Sequence, residues 1–101
     1  MFYNVLNTNS EINLDGKEFK KETLLEGENS SVNLIVIRKE GIIDTHTSNK
    51  DAMVYLIEGE IELHFDAEKF NLKEKDFLMF KKDKEHKVLA KKDSKFLLIK
   101  I

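Results

Sequence analysis

Short apolar runs alternate with charged or glycine-containing breaks along most of the 101-residue chain. The breaks recur at intervals of about eight to twelve residues, and no stretch holds a helical period, so the pattern predicts short strands. Val32 to Arg38 is the most β-branched run and reads as a buried strand. Ala52 to Ile57 is a second apolar strand. Glu60 to Phe65 alternates, with Ile61, Leu63 and Phe65 on one face and Glu60, Glu62 and His64 on the other, the latter face reading as solvent-directed. Lys69 to Leu72, Phe77 to Phe80, His86 to Ala90 and Phe96 to Ile101 complete the series. Ile42 and Ile43 lead into the polar segment Asp44 to Asp51, where His46 and Ser48 share a face if the segment is extended. Glu58-Gly59 reads as a hairpin turn, because glycine supplies a permissive backbone. Strands of this length and spacing indicate an all-β, antiparallel sandwich or barrel.

The amino end is less regular. Phe2 to Leu6 is apolar and too short to form a layer, so residues 1–10 are expected to form an edge strand or an arm lying on the barrel or on a second subunit. Glu11 to Glu26 reads as strand, turn and strand, with the turn at Asp15-Gly16. No linker, repeat or low-complexity segment divides the chain, so residues 1–101 are expected to be one domain.

Composition narrows the chemistry. A hydrophobic share of 41% is enough for one packed core, and no cysteine is present to build a disulfide framework or act as a thiolate nucleophile. That usage fits a reducing cytosol, and the first residues lack the pattern of a secretory signal, so a cytoplasmic location is expected. Seventeen basic and nineteen acidic residues give a formal charge of −2, which provides no global field for nucleic acid. Lys81-Lys82-Asp83-Lys84 and Lys91-Lys92 interleave or adjoin acids, and no nucleic-acid partner is expected. No stretch has the apolar length of a membrane span. Asp44, His46 and Ser48 fall in one short extended stretch, which is no geometry for a nucleophilic triad, and no catalytic residue is assigned. His46 and His86, forty residues apart beside strand-length apolar runs, are able to meet in a closed sheet.

The stretch from Gly41 to His86 resembles the cupin family. The first cupin motif has a Gly, a His, a second His two residues on, a Glu and a closing Gly; these fall on Gly41, His46, Ser48, Ala52 and Gly59, with one residue fewer before His46. The second motif's Gly, Pro, Gly, His and Asn fall on Lys75, Lys81, Asp83, His86 and Ala90, and Asp76 follows in the acidic position often seen there. The likeness runs from about Val32 to Ile101 and implies an antiparallel jelly-roll β-barrel with a cup-shaped interior. By family position the cup lining is His46, Ser48, Ala52, Val54, Phe80, His86 and Val88, with Tyr55 contributing if its strand is turned the other way.

Of the family's metal ligands only His46 and His86 match, since serine is a poor ligand and alanine is none. A bulge before Ala52 would turn Asp51 inward as a replacement carboxylate. No cofactor is therefore required, and a divalent transition metal on His46, His86 and Asp51 is the alternative. The resemblance implies three functions: a small-molecule-binding or regulatory protein, which is favoured; a metal-dependent enzyme of oxygenase or isomerase type; or a structural or interaction protein with a filled barrel. A homodimer is expected from the family and from the apolar arm.

Overall fold

The computed structural model describes residues 3, 5–9 and 13–101, the side chains of Thr45 and His46 excepted. Nine strands carry the chain: β1 (Phe19–Glu26), β2 (Ser31–Ile37), β3 (Ile42–His46), β4 (Ala52–Glu58), β5 (Glu60–His64), β6 (Lys69–Lys73), β7 (Phe77–Phe80), β8 (His86–Ala90) and β9 (Ser94–Lys100). They form two antiparallel sheets, a five-stranded one in the order β1-β2-β9-β4-β7 and a four-stranded one in the order β3-β8-β5-β6. This is the jelly-roll arrangement, and no described residue is helical.

Period-two side-chain placement decides which residues meet between the sheets. On β4, Ala52, Val54 and Leu56 are buried while Met53, Tyr55 and Ile57 are half-buried on the other face. On β2 and β9, Ile35, Ile37 and Phe96 point the same way, because Ile35 pairs with Phe96 and Phe96 with Leu56. The four-stranded sheet answers with Ile61, Leu63, Leu72, Val88 and Ala90, and these residues make one continuous core. Each fully buried large apolar side chain contributes about 1.5–3 kcal/mol, so this stripe dominates the favourable side of folding.

Three sequence expectations change in the folded chain. Glu58-Gly59 does not close a hairpin: β4 pairs with β7 and β9, β5 pairs with β6 and β8, and the turn carries the chain from one sheet to the other. The local signal was right about the turn, as Gly59 has φ 95°, but pairing is set by distant strands. A side chain at Gly59 would also run into Ser94 and the Asp93 carbonyl. Of the strand, turn and strand expected from Glu11 to Glu26, Glu11 and Ile12 lie outside the described residues, and between residues 13 and 26 the only described strand is β1, which follows a turn at Asp15 and Gly16 with φ 55° and 80°. Phe2 lies outside the described residues, and Tyr3, Val5 and Leu6 form no strand. Val5 is 95% exposed, whereas Thr8 further along is held by its carbonyl, which accepts from the Lys95 ammonium at 2.9 Å.

Candidate functional site

One end of the space between the sheets carries aromatic rings around an imidazole. His86 opens β8, and the register sets it directly opposite His46, the last residue of β3, after an irregularity between Ile43 and His46. The His86 residue is 5% exposed. Its Nδ1 lies 2.9 Å from the Lys84 carbonyl oxygen, which accepts only, so Nδ1–H donates. The ring packs against Phe80 with centroids 4.8 Å apart and against Phe65 at 5.7 Å. Phe65 and Phe80 meet edge-to-face at 5.2 Å. Such pairs contribute about 0.5–1.5 kcal/mol each beyond their burial, so this corner is held by its own side chains.

Outside the rings the two sheets part. The edge strands β6 and β7, the β5–β6 turn and the β7–β8 loop border a cleft of about 620 Å³. Phe65, Phe70, Leu78 and Phe80 supply its apolar wall, and Asp66, Glu68, Asp83, Glu85, Lys81 and Lys84 its polar rim. A smaller hollow of about 290 Å³ adjoins Phe65 and reaches His86 and His64.

The other expected site residues are distributed differently. Ser48 lies in the loop after β3, not on the strand, and its hydroxyl is used locally: it donates to the Lys50 carbonyl at 3.0 Å and accepts from the Lys50 N–H at 3.2 Å. Asp51 does not turn inward as a replacement ligand. Its carboxylate accepts from the Lys82 N–H at 3.0 Å and from the Lys81 ammonium at 3.4 Å, and the Lys82 bond, followed by the two lysine charges, lowers its pKa despite desolvation. Val54 and Val88, at 2% and 4% exposure, are part of the packed core instead of an open wall, because their inward parity places them among Leu56, Leu63 and Phe96. Tyr55 faces outward and stacks on Phe77 at 4.4 Å.

The donor set can be tested directly against a metal. Ala52 brings no donor, the Ser48 hydroxyl and the Asp51 carboxylate are engaged elsewhere, and among the described residues no group of three or more His, Cys, Asp or Glu side chains stands together. The described side chains do not fit a catalytic centre of three protein ligands.

Tertiary pairing also brings in residues that the strand-by-strand reading passed over. One inward row crosses the five-stranded sheet from Ser31 to Lys100, Ala52 and Phe80, each paired with the next. In the adjacent row stands Asn33, 2% exposed within an otherwise apolar strand. Its amide donates to the Leu98 carbonyl at 3.1 Å and to the Ser31 hydroxyl at 3.0 Å, and its Oδ1 accepts from the Thr23 hydroxyl at 2.8 Å. The available signal was polar identity at an inward position: Asn33 and Lys100 interrupt the runs Val32 to Ile37 and Phe96 to Ile101.

On the outer face of the four-stranded sheet, Glu62 is buried between His64 and Lys91 rather than simply solvated. Its carboxylate lies 3.0 Å from the His64 Nε2 and 3.0 Å from the Lys91 ammonium. These two hydrogen bonds outweigh desolvation and bring its pKa down to about 2.

With this geometry in place, the comparisons are consistent. The family model for the cupin domain matches residues 33–101, and the chain belongs to the cupin family. An RmlC-like cupin from Desulfovibrio desulfuricans superposes with a TM-score of 0.86 at 20% identity, over 98% of this chain and 96% of that one. A cupin superfamily protein from Desulfitobacterium hafniense gives 0.82 at 21% identity over 89% and 83%. KdgF from Halomonas sp. gives 0.79 at 15% identity over 94% and 91%. At these identities the likeness shows the fold alone. No curated protein gives a significant sequence match.

Proposed function

We propose that this cupin binds a small organic molecule at the open end of its interior, beside His86, Phe65 and Phe80. The observation that carries the reading is the cleft of about 620 Å³ against Phe65 and Phe80, on whose rings the His86 imidazole packs. An apolar wall with few polar groups provides most of a ligand's buried surface, while the His86 imidazole beside it supplies orientation. The volume lies within the usual range of small-molecule sites, about 300–1,000 Å³. The test is native mass spectrometry of untagged protein taken from its source cells, repeated on Phe80→Ala and His86→Ala. A bound small molecule lost from both variants is expected; ligand-free protein, or retention in both, would defeat the reading.

A metal-dependent enzyme of oxygenase or isomerase type is the second reading, and the pairing of His46 with His86 is what favours it. It needs a donor beyond those the described side chains offer. Titration with iron, manganese, nickel and zinc decides it: stoichiometric tight binding lost in both His46→Ala and His86→Ala would promote this reading.

The same protein is proposed to act as a cytoplasmic homodimer. Support for pairing comes from the outer face of the five-stranded sheet, where Phe77 is 54% and Met79 66% exposed beside Tyr55. Apolar area of this kind is hidden at lower cost by a second copy than by solvent.

A further inference from the structure

The cleft between the sheet edges has an aromatic wall and an acidic rim. Phe65, just after β5, is central to the wall: Phe70 on β6 stands at 75° to it with centroids 5.9 Å apart, and Phe80 on β7 stands at 68° with centroids 5.2 Å apart. All three rings border the same hollow of about 620 Å³. Rings set steeply to one another give the hollow walls in more than one plane, so a compact guest meets aromatic carbon on more than one side.

The rim carries Asp66 and Glu68 in the β5–β6 turn and Asp83 and Glu85 in the β7–β8 loop, against Lys81 and Lys84. Both connections are anchored through the backbone. The Phe65 N–H donates to the Glu68 carbonyl at 2.8 Å, and the Asp83 N–H donates to the Ser48 carbonyl at 2.8 Å, tying the loop to the segment after β3. Of the two lysines, Lys81 is paired with Asp51 at 3.4 Å. Among the described residues no ion pair involves Asp66, Glu68, Asp83, Glu85 or Lys84. Four carboxylates therefore border the opening with one uncommitted ammonium among them. Exposed acids are ordinarily just solvated; these flank a hollow whose wall is aromatic.

Charge and wall together select the guest. An anion is repelled at the rim and finds no donor on the rings. An uncharged apolar molecule suits the wall but gains nothing from the carboxylates. A primary ammonium gains from the carboxylates, yet its N–H groups lose water at a wall that offers them no acceptor. An alkylated ammonium has positive charge and no such groups to satisfy, and the negative faces of aromatic rings attract it.

We propose that this cleft takes a small, free organic cation, its alkylated ammonium head lodged against Phe65, Phe70 and Phe80 beneath the carboxylates of the rim. This inference rests on the ligand-binding reading above and names the class of ligand.

The experiment uses three probes of nearly the same shape on the full chain: choline, the uncharged 3,3-dimethylbutan-1-ol, and the anion 3,3-dimethylbutyrate. Binding is followed by NMR of the aromatic rings and by calorimetry. Choline is expected to bind about tenfold or more tighter than the alcohol, and the butyrate most weakly. Raising the ionic strength from about 0.01 M to about 1 M should remove most of the difference, because the rim is exposed to screening. Phe80→Leu keeps apolar bulk but removes a ring, and should weaken choline about fivefold while changing the alcohol less than about twofold. If it does not fold, Phe70→Leu, at an edge position 37% exposed, takes its place. Glu68→Gln combined with Glu85→Gln should weaken choline about threefold and leave the alcohol unchanged.

Equal affinity for choline and the alcohol, or parallel losses for both in the ring variant, would overturn the cation assignment. Tighter capture by phosphatidylcholine vesicles than by choline at equal headgroup concentration would overturn the free-molecule part of it. Should choline fail while the alcohol or the butyrate shifts Phe80 and His86, the ligand-binding reading stands without this class of ligand. Indifference of those rings to all three probes would count against both.

Discussion

Asn33→Ala is expected to be among the costlier substitutions of a polar residue in this protein. The amide is 2% exposed and engages three partners: the Leu98 carbonyl, the Ser31 hydroxyl and the Thr23 hydroxyl. Ser31 and Thr23 lie nearer the surface and recover water when the amide goes, so each of those bonds costs only the usual net value, about 0.5–1 kcal/mol. The Leu98 side is drier, and its carbonyl loses an acceptor role that water does not readily replace, at about 1 kcal/mol or more. Loss of side-chain volume against Leu98 adds to this, and the sum is about 2–3 kcal/mol. For a domain of this size that corresponds to a fall in Tm of roughly 8–20 °C. Urea unfolding of Asn33→Ala, Thr23→Val and the double variant gives the coupling between the two side chains, expected at about 1 kcal/mol. An Asn33→Ala protein within 0.5 kcal/mol of the parent, on the scale of an ordinary surface change, would refute the view that this network is desolvated and structurally engaged.

Gly59→Ala should destabilise by about 2 kcal/mol or more, because φ 95° is unfavourable for an L side chain and the new methyl meets Ser94 and Asp93; chemical denaturation measures it. Leu56→Ala, at a fully buried core position, should cost about 2–5 kcal/mol in the same assay. Glu62 has a folded-state pKa depressed from 4.5 to about 2, so its contribution is complete above pH 4.5 and disappears as the pH falls toward 2. Thermal melts between those limits should therefore fall less steeply for Glu62→Gln, and identical slopes would show that the ion pairs contribute nothing. Sedimentation equilibrium should give twice the chain mass, with Phe77→Lys shifting the protein toward monomer while leaving its circular dichroism unchanged; a monomeric parent would refute pairing through this face.

The sequence alone determined the strand content and the identity of most inward positions, because period-two alternation is a local property that the hydrophobic effect reads directly. Val32 to Ile37, Ala52 to Ile57 and Glu60 to His64 show it without reference to any neighbour. The motif positions around His46 and His86 were visible for the same reason, as a spacing along the chain. What a residue meets across the sheet was not. Glu58-Gly59 has the composition of a hairpin, yet β4 and β5 enter different sheets, a choice made by the pairing of β4 with β9 some forty residues away. Asp51 and Ser48 carry suitable donor atoms, but backbone groups of Lys82 and Lys50 take those atoms first. Val54 and Val88 were legible as inward-facing, whereas only packing against the opposite sheet decided that their level is filled and that the open space lies at Phe65 and Phe80. Thr23 and Asn33 are ordinary polar residues along the chain. Their meeting exists only in the register of β1 and β2, since hydrogen-bonded strands bring together residues that no local spacing connects.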